Sequence, residues 1–461
     1  MKINNDTICS ISTALGKGAI SIIRISGNES LKICNQIFKA HNKKIISLNH
    51  HNQVILGHIF EKKNTIDEVL ITIFKSPKSY TGENLIEIAC HGSTYIQNKI
   101  IQLLIQNGCR IAKKGEFTLR AFLNQKLDLS QAEGVAELIA SETEKSHELA
   151  MRQMKGGFSN EIKELRKKFI KFASLIELEL DFSEEDVEFA NRKDLLDLIS
   201  LIKVKIEKLI ESFKFGNAIK NGIPISIVGN PNSGKSTLLN TILNEERAIV
   251  SNIKGTTRDT IEEEITIQGY KLRFIDTAGL RSTNNQIEKI GISKTYETIY
   301  KSAFILYLID KTEFEEDTIE LQLNQIKKLL NNNTTIIILA NKSDLENKKI
   351  HLKQFQDLPI LNISASQNQG VQKIFDLIIN HVEEWKMINE QIIIINQRHY
   401  ESLTHTLHSI NDVKNALNSN VSGEFLSIDI KRCLEFLGEI TGEITNENLL
   451  DSIFRDFCIG K

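Results

Sequence analysis

The stretch "ISIVGNPNSGKSTLLN" constrains this chain more than any other. A β-branched run from Ile225 to Val228 leads into Gly229-x-x-x-x-Gly234-Lys235-Ser236, and an apolar, helix-forming segment follows. That order predicts a strand, a phosphate loop and a helix. The glycines let backbone N–H groups wrap phosphate oxygens, and the helix N-terminus attracts negative charge. Lys235 reaches the β/γ oxygens, and the Ser236 hydroxyl ligates Mg²⁺. Asn232, Ser233 and Thr237 complete this loop as expected nucleotide contacts. Residues 222–383 around it alternate apolar strands with helical segments, the pattern of a parallel α/β sheet.

Three later stretches in the same cassette specify the nucleotide. In "IDTAG", Asp276 can bind the Mg²⁺ shell through water and the Gly279 N–H can sense a γ-phosphate, with Thr277 and Ala278 between them. In "ILANKSD", Asn341 and Asp344 can read a guanine edge while Lys342 packs along the base. In "NISAS", Ser364 and Ala365, followed by Ser366, can offer backbone N–H groups to the guanine carbonyl. Adenine lacks the pair of donors that the Asp344 carboxylate would accept, so the expected ligand is GTP.

The residue after "DTAG" is Leu280, where many small GTPases carry a glutamine that orients the attacking water. A leucine cannot hold a water. Either hydrolysis is slow or another group supplies the function. Glu288 in "NNQIEKIGI" is available, although by itself it reads as a solvated helix charge. In "VSNIKGTTRDT", Thr257 can place its hydroxyl on Mg²⁺ and its N–H on the γ-phosphate. The carbonyls of that loop can also face a monovalent cation, with Asn232 adding a side-chain oxygen. Such a charge would act as an arginine finger does elsewhere, worth about 10³–10⁵ in rate.

The rest of the chain frames the cassette. Residues 1–118 mix β-branched runs ("AISIIRISG", "EVLITIF", "NLIEIAC") with the amphipathic "STYIQNKIIQLLIQNG", which predicts an α+β domain. Residues 119–215 and 384–461 carry helical periodicity, so the expected architecture is a G domain (222–383) inserted into a discontinuous helical domain. A net charge of −2 excludes a chain that is basic throughout. Six cysteines without CxxC spacing argue against a structural zinc site or a disulfide framework and fit a reducing cytosol. Neither a signal core nor an apolar run of membrane-spanning length is evident, so a soluble cytoplasmic protein is expected. The tail "FCIGK" places Cys458 four from the end, but Lys461 does not fit a prenylation signal.

Taken together, "IRISG", "SYTGENLIEIACHG", "KKGEFTLRAFLNQKLDLSQAE", "GNPNSGKST", "GTTRD", "DTAGLR", "EKIGI", "NKSD", "EITGEIT" and "FCIGK" resemble the MnmE (TrmE) family of tRNA-modification GTPases, of the TrmE-Era-EngA-YihA-Septin-like superfamily. The likeness runs the length of the chain. It implies an N-terminal domain that dimerises and binds 5-formyl-tetrahydrofolate or a related one-carbon folate, a split helical domain, and a G domain with K⁺-stimulated hydrolysis. Carried over by position, it implies K⁺ contacts at Asn232, Ser251, Ile253 and Thr256, and Mg²⁺ contacts at Ser236 and Thr257. It also moves Glu288 from a bland surface charge to the water-orienting residue. Folate contacts fall on Arg24, Glu87, Lys126 and Lys461, and Cys458 becomes a candidate reactive thiol. On their own, Arg24, Glu87 and Lys126 read as surface charges, and His91 in "CHGS" as a satisfied loop histidine. The implied activity is a GTPase that, with an MnmG-type flavoprotein carrying FAD and NADH in a heterotetramer or larger complex, modifies carbon 5 of a tRNA wobble uridine. The competing expectation is a ribosome-assembly or RNA-binding switch. Such a protein should carry a GxxG element or basic tail, and neither is seen.

Overall fold

The computed structural model describes residues 6–42, 45–181, 192–244, 249–250, 263–275, 299–300, 302–328, 330, 334–345, 350, 352–387, 392–419, 423–455, 457 and 460. They divide into two compact units. One comprises residues 1–140, 151–197 and 408–461, the other 141–150 and 198–407.

The first unit is built on a seven-stranded mixed sheet, counted among the described residues, in the order β3-β4-β5-β6-β2-β1-β7. The strands are β1 (Ile8–Ile11), β2 (Ile20–Ser26), β3 (Phe38–Ala40), β4 (Val54–Glu61), β5 (Asn64–Phe74), β6 (Leu85–His91) and β7 (Arg110–Ile111). Alternation decides which face is buried. Ile23, Ile25, Ile59, Val69, Ile71, Ile86 and Ile88 point into a core closed by α1 (Ser30–Ile37) and α2 (Thr94–Gln106). The opposite face carries Val54, Leu56, Leu70, Arg24 and Glu87, and Val54, Leu56 and Leu70 are exposed there.

Helices α3 (Glu116–Leu123), α4 (Leu129–Ala140), α6 (Gly157–Asp181), α12 (Gly423–Thr441) and α13 (Glu447–Arg455) also belong to this unit. Leu129 and Ala132 of α4 pack with Leu450 and Phe454 of α13 and with Phe457 just beyond it. The helical periodicity of residues 119–215 does not run as one helix. It breaks before α5 (Glu144–Met154), where the Ser146 N–H donates to Thr143 Oγ1 at 3.2 Å and the Thr143 N–H to Ser146 Oγ at 3.1 Å. These reciprocal bonds satisfy donors that a helix start would otherwise leave open.

The second unit holds another seven-stranded sheet, again counted among the described residues, ordered β14-β13-β12-β8-β11-β10-β9. Its strands are β8 (Ile223–Gly229), β9 (Ile249–Val250), β10 (Glu263–Ile267), β11 (Tyr270–Phe274), β12 (Phe304–Asp310), β13 (Thr335–Asn341) and β14 (Ile360–Asn362). The pairs β11–β8, β8–β12, β12–β13 and β13–β14 are parallel, and β10 joins antiparallel. One face packs on α8 (Lys235–Leu243), on α10 (Val371–Met387) and on the last turns of α7 (Arg192–Asn221). The other face packs on α9 (Glu316–Lys327). Helices on both faces explain why β12 and β13 are apolar along their length. The α11 helix (Gln397–Asn418), like α5 and α7, has residues in both units. Among the described residues, no helix is long and apolar enough to cross a membrane.

Candidate functional site

The phosphate loop leaves the C-terminal end of β8, inside the parallel part of the sheet, where α/β folds bind their ligands. Lys235 opens α8 and folds over the loop, its Nζ donating to the carbonyls of Gly229 (2.8 Å) and Asn230 (2.7 Å). Burial pushes the Lys235 ammonium below its ordinary pKa, which favours an anion as its partner. Ser233 Oγ is buried and has no hydrogen-bond partner among the described residues. Gly234 has φ +97°, and a Cβ there would sit 2.3 Å from Asn341 Nδ2. Only glycine meets both conditions. Ser236 is half-buried, while Asn232 and Thr237 are exposed.

Two more loops meet this one at the same sheet edge. Asn341 ends β13 and is buried, its Nδ2 donating to the Ser233 carbonyl at 2.8 Å and its Oδ1 accepting from the Ala365 N–H at 3.0 Å. Ser364 is buried and exchanges two backbone hydrogen bonds with Gln369, while its Oγ lies 3.3 Å from Ser366 Oγ. Thr241 of α8 donates to the Ala365 carbonyl at 2.7 Å. Asp344 is exposed and accepts from Gln367 Nε2 at 3.4 Å. Lys342, expected along the base, pairs its ammonium with Asp310 at the end of β12. Burial would raise the Asp310 pKa, but hydrogen bonds from Lys342 and Thr312 outweigh it and hold the carboxyl below its ordinary value. Sequence reasoning missed the outer brace of the phosphate loop. Buried Tyr307 donates to Gln322 Oε1, and Gln322 Nε2 donates to Asn230 Oδ1 at 3.0 Å.

On the outer face of the first sheet, Arg24 and Glu87 are register partners on β2 and β6 and form an ion pair at 2.7 Å. The Arg24 guanidinium lies 5.6 Å from the centre of the Tyr80 ring. Lys126 is exposed in the turn after α3. Near the end of the chain, Ser12 Oγ donates to the Gly460 carbonyl at 3.1 Å. Sequence reasoning also missed an ion network in which Arg120, 4% exposed, meets Asp6, Glu83 and Glu116, while Arg110 meets Asp6 and Glu116. His91, passed over as a loop residue, is a register-edge group with Nδ1 2.7 Å from buried Asp67.

The five described cysteines are buried and none of them forms a disulfide. Burial pushes Cys34 and Cys433 up to about 12 and Cys90 to about 11, so these three are not thiolates near neutral pH. Ser251, Ile253, Thr256, Thr257, Asp276, Thr277, Ala278, Gly279, Leu280, Glu288, Cys458 and Lys461 lie outside the described residues.

A largely parallel sheet with a phosphate loop after β8, and the "NKSD" and "SAS" loops tied to it through one asparagine, defines a P-loop GTPase, a GTP-hydrolysing enzyme. Residues 129–458 match the family model for the MnmE helical domain, and residues 7–126 that for the GTP-binding protein TrmE N-terminus. The chain belongs to the MnmE family. It is 51% identical to the tRNA modification GTPase MnmE of Flavobacterium psychrophilum, with 100% of each chain covered. It is 50% identical to that of Christiangramia forsetii, with 99% of each covered. Against that of Bacteroides thetaiotaomicron it is 47% identical, covering 99% of this chain and 100% of the relative.

Proposed function

We propose that this GTPase acts as a homodimer in the cytoplasm, with an MnmG-type flavoprotein, to add an aminomethyl or carboxymethylaminomethyl group to carbon 5 of the wobble uridine of certain tRNAs. The observation that carries this reading is end-to-end similarity, at 50–51% identity, to proteins named tRNA modification GTPases. The one-carbon unit would come from a formyl- or methylene-tetrahydrofolate, and the partner would bring FAD and NADH.

Within the G domain, Lys235 binds the β/γ phosphates and the Asp344 carboxylate reads guanine, whereas the Ser364 and Ala365 N–H groups, expected at the guanine carbonyl, donate instead to the Gln369 carbonyl and to Asn341 Oδ1. Mg²⁺ would be held by Ser236 and Thr257, and K⁺ by Asn232 with Ser251, Ile253 and Thr256. Both supply positive charge beside the phosphates when bound. The desolvated Lys235 ammonium and the unpartnered Ser233 hydroxyl suit an anionic, oxygen-rich ligand at this loop. Glu288 orients the water that Leu280 cannot hold.

For the folate, Arg24 and Glu87 present a cation and a carboxylate side by side near an aromatic ring, a set that suits a pterin's donor and acceptor edges. Lys126 and Lys461 would meet its glutamate tail. The exposed Val54, Leu56 and Leu70 on the same sheet face suit burial against a second copy.

The deciding experiment is nucleoside analysis of tRNA from cells lacking the protein, with and without a plasmid copy. Unmodified wobble uridine that returns to modified with the wild-type gene, but not with Lys235→Ala, is the expected result. Normal modification in the deletion strain would reject the reading.

A further inference from the structure

On the edge of the first sheet, β3, β4 and β5 bring together three side chains that the GTPase reaction does not use. His58 and Glu68 are register partners on β4 and β5. The His41 N–H donates to the Leu56 carbonyl, which puts His41 two positions along from His58 on the same face. His41 Nε2 lies 3.0 Å and His58 Nε2 3.4 Å from the same oxygen, Glu68 Oε1. The two imidazoles stack with centroids 4.7 Å apart and planes 13° from parallel. All three donor atoms lie within 4.8 Å of one another.

We propose that His41, His58 and Glu68 form a site for a divalent transition-metal ion, zinc being the ion their donor set fits best. Bonds of about 2.0–2.1 Å in a tetrahedron put neighbouring donors roughly 3.3 Å apart. Both nitrogen–oxygen separations are already near that value, and a modest rotation of one imidazole closes the third edge. Two imidazole nitrogens and one carboxylate oxygen select zinc, copper or nickel over Mg²⁺ and Ca²⁺, which take oxygen ligands. In the single chain the side-chain accessibilities are 50%, 32% and 51%, and the three share their sheet face with Leu56 and Leu70, so the fourth position of the ion faces the side proposed to meet a second copy. The ammonium of Lys39, the register partner of His58, lies 5.1 Å from the centre of the Phe60 ring. A carboxylate that only accepts hydrogen bonds from two histidines would have the same distances, and metal titration separates the two cases.

The test uses full-length protein, stripped with a chelator and kept free of nucleotide and Mg²⁺, titrated with ZnCl₂ by calorimetry. One ion per chain is expected, with that binding event lost in His41→Ala/His58→Ala and weakened in Glu68→Gln. Cobalt(II) added to the wild type should give the visible d–d bands of a tetrahedral nitrogen–oxygen site. No binding by the wild type, unchanged binding by the double variant, or a thiolate charge-transfer band on cobalt would each overturn the proposal. The cobalt spectrum is read on the wild type alone, so it decides even if a variant folds poorly.

Discussion

The Asn341 amide nitrogen donates to the Ser233 carbonyl at 2.8 Å, joining the base-side loop to the phosphate loop across 108 residues of chain. The same side chain accepts from the Ala365 N–H, so one buried amide sets the spacing of three loops. Asn341→Ala leaves a buried carbonyl and a buried N–H without partners, a cost of about 1–3 kcal/mol. If that falls on the nucleotide-competent arrangement, GDP affinity drops roughly 5- to 150-fold. Titration with a fluorescent guanine nucleotide, beside thermal unfolding, checks it. Wild-type affinity in the variant would mean that the loops hold their places without Asn341.

Arg120 makes a prediction about stability rather than chemistry. Its side chain is 4% exposed and contacts Asp6, Glu83 and Glu116, tying the start of the chain, the "TGEN" loop and α3 together. Arg120→Ala leaves Glu83 without its cation while Asp6 and Glu116 keep Arg110, so the loss falls toward the lower end of the cost of breaking a buried pair, about 3–5 kcal/mol. Arg120→Ala should therefore lower the denaturation midpoint strongly while nucleotide binding, which belongs to the other unit, persists. A denaturant melt followed by N-terminal and nucleotide probes separates the two.

The acids of that network set a pH dependence. Burial alone would raise Asp6 and Glu116, but hydrogen bonds and charge from Arg110 and Arg120 outweigh it and hold both below their ordinary values of 3.8 and 4.5. Because the folded-state values are depressed, the unfolded chain binds more protons in this range. The stabilisation is thus complete above about pH 5 and lost as pH falls through 4 and below. Melting temperatures measured from pH 6 to pH 3 should fall, and more steeply in the wild type than in Arg110→Gln. Parallel curves would remove the ion pairs as the cause.

Which of these features could be read in advance follows from how each is encoded. The phosphate loop is local: eight consecutive residues between a β-branched run and a helix carry its chemistry, and β8 and α8 begin and end around them. The alternation of Ile23 and Ile25 with Arg24 likewise announces a strand with one buried face. The Arg120 network pairs residues 37 and 114 positions apart, and no periodicity connects them. His41, His58 and Glu68 become neighbours only through strand order and register. Nor does "NKSD" reveal that Lys342 turns to Asp310 and that the Asn341 amide is engaged by Ser233 and Ala365. Partner choice at the end of a strand is a tertiary fact.

Leu280 and Glu288 supply a kinetic prediction argued from sequence. An apolar residue after "DTAG" cannot orient water, so another group must do so for hydrolysis to be fast. Glu288→Ala should nearly abolish turnover and leave GTP affinity largely intact, which single-turnover hydrolysis and equilibrium binding measure separately. Hydrolysis by the wild type should also be markedly faster in K⁺ than in Na⁺. Equal rates in both salts would remove the monovalent cation from the mechanism.

The last prediction concerns the end of the chain. Gly460 is buried with φ +93°, and a Cβ there would lie 2.2 Å from the Ile11 carbonyl oxygen and 2.9 Å from Ser12 Cα. Phe457, also buried, stacks at a tilt on Phe454 with ring centroids 5.1 Å apart. Gly460 is thereby seated against β1 and Ser12, and Phe457 against α13. Gly460→Ala cannot keep this seat, since backbone strain and the clash with β1 act together. Ser12→Ala removes only the 3.1 Å hydrogen bond to the Gly460 carbonyl and serves as the mild companion. If the tail serves tRNA modification and the G domain works independently of it, Gly460→Ala should hydrolyse GTP at the wild-type rate yet fail to restore modified wobble uridine in the deletion strain. Ser12→Ala should fall between. A parallel loss of both activities would make the tail a structural clasp, and full modification with Gly460→Ala would mean that its anchoring on Ile11 and Ser12 has no part in the reaction.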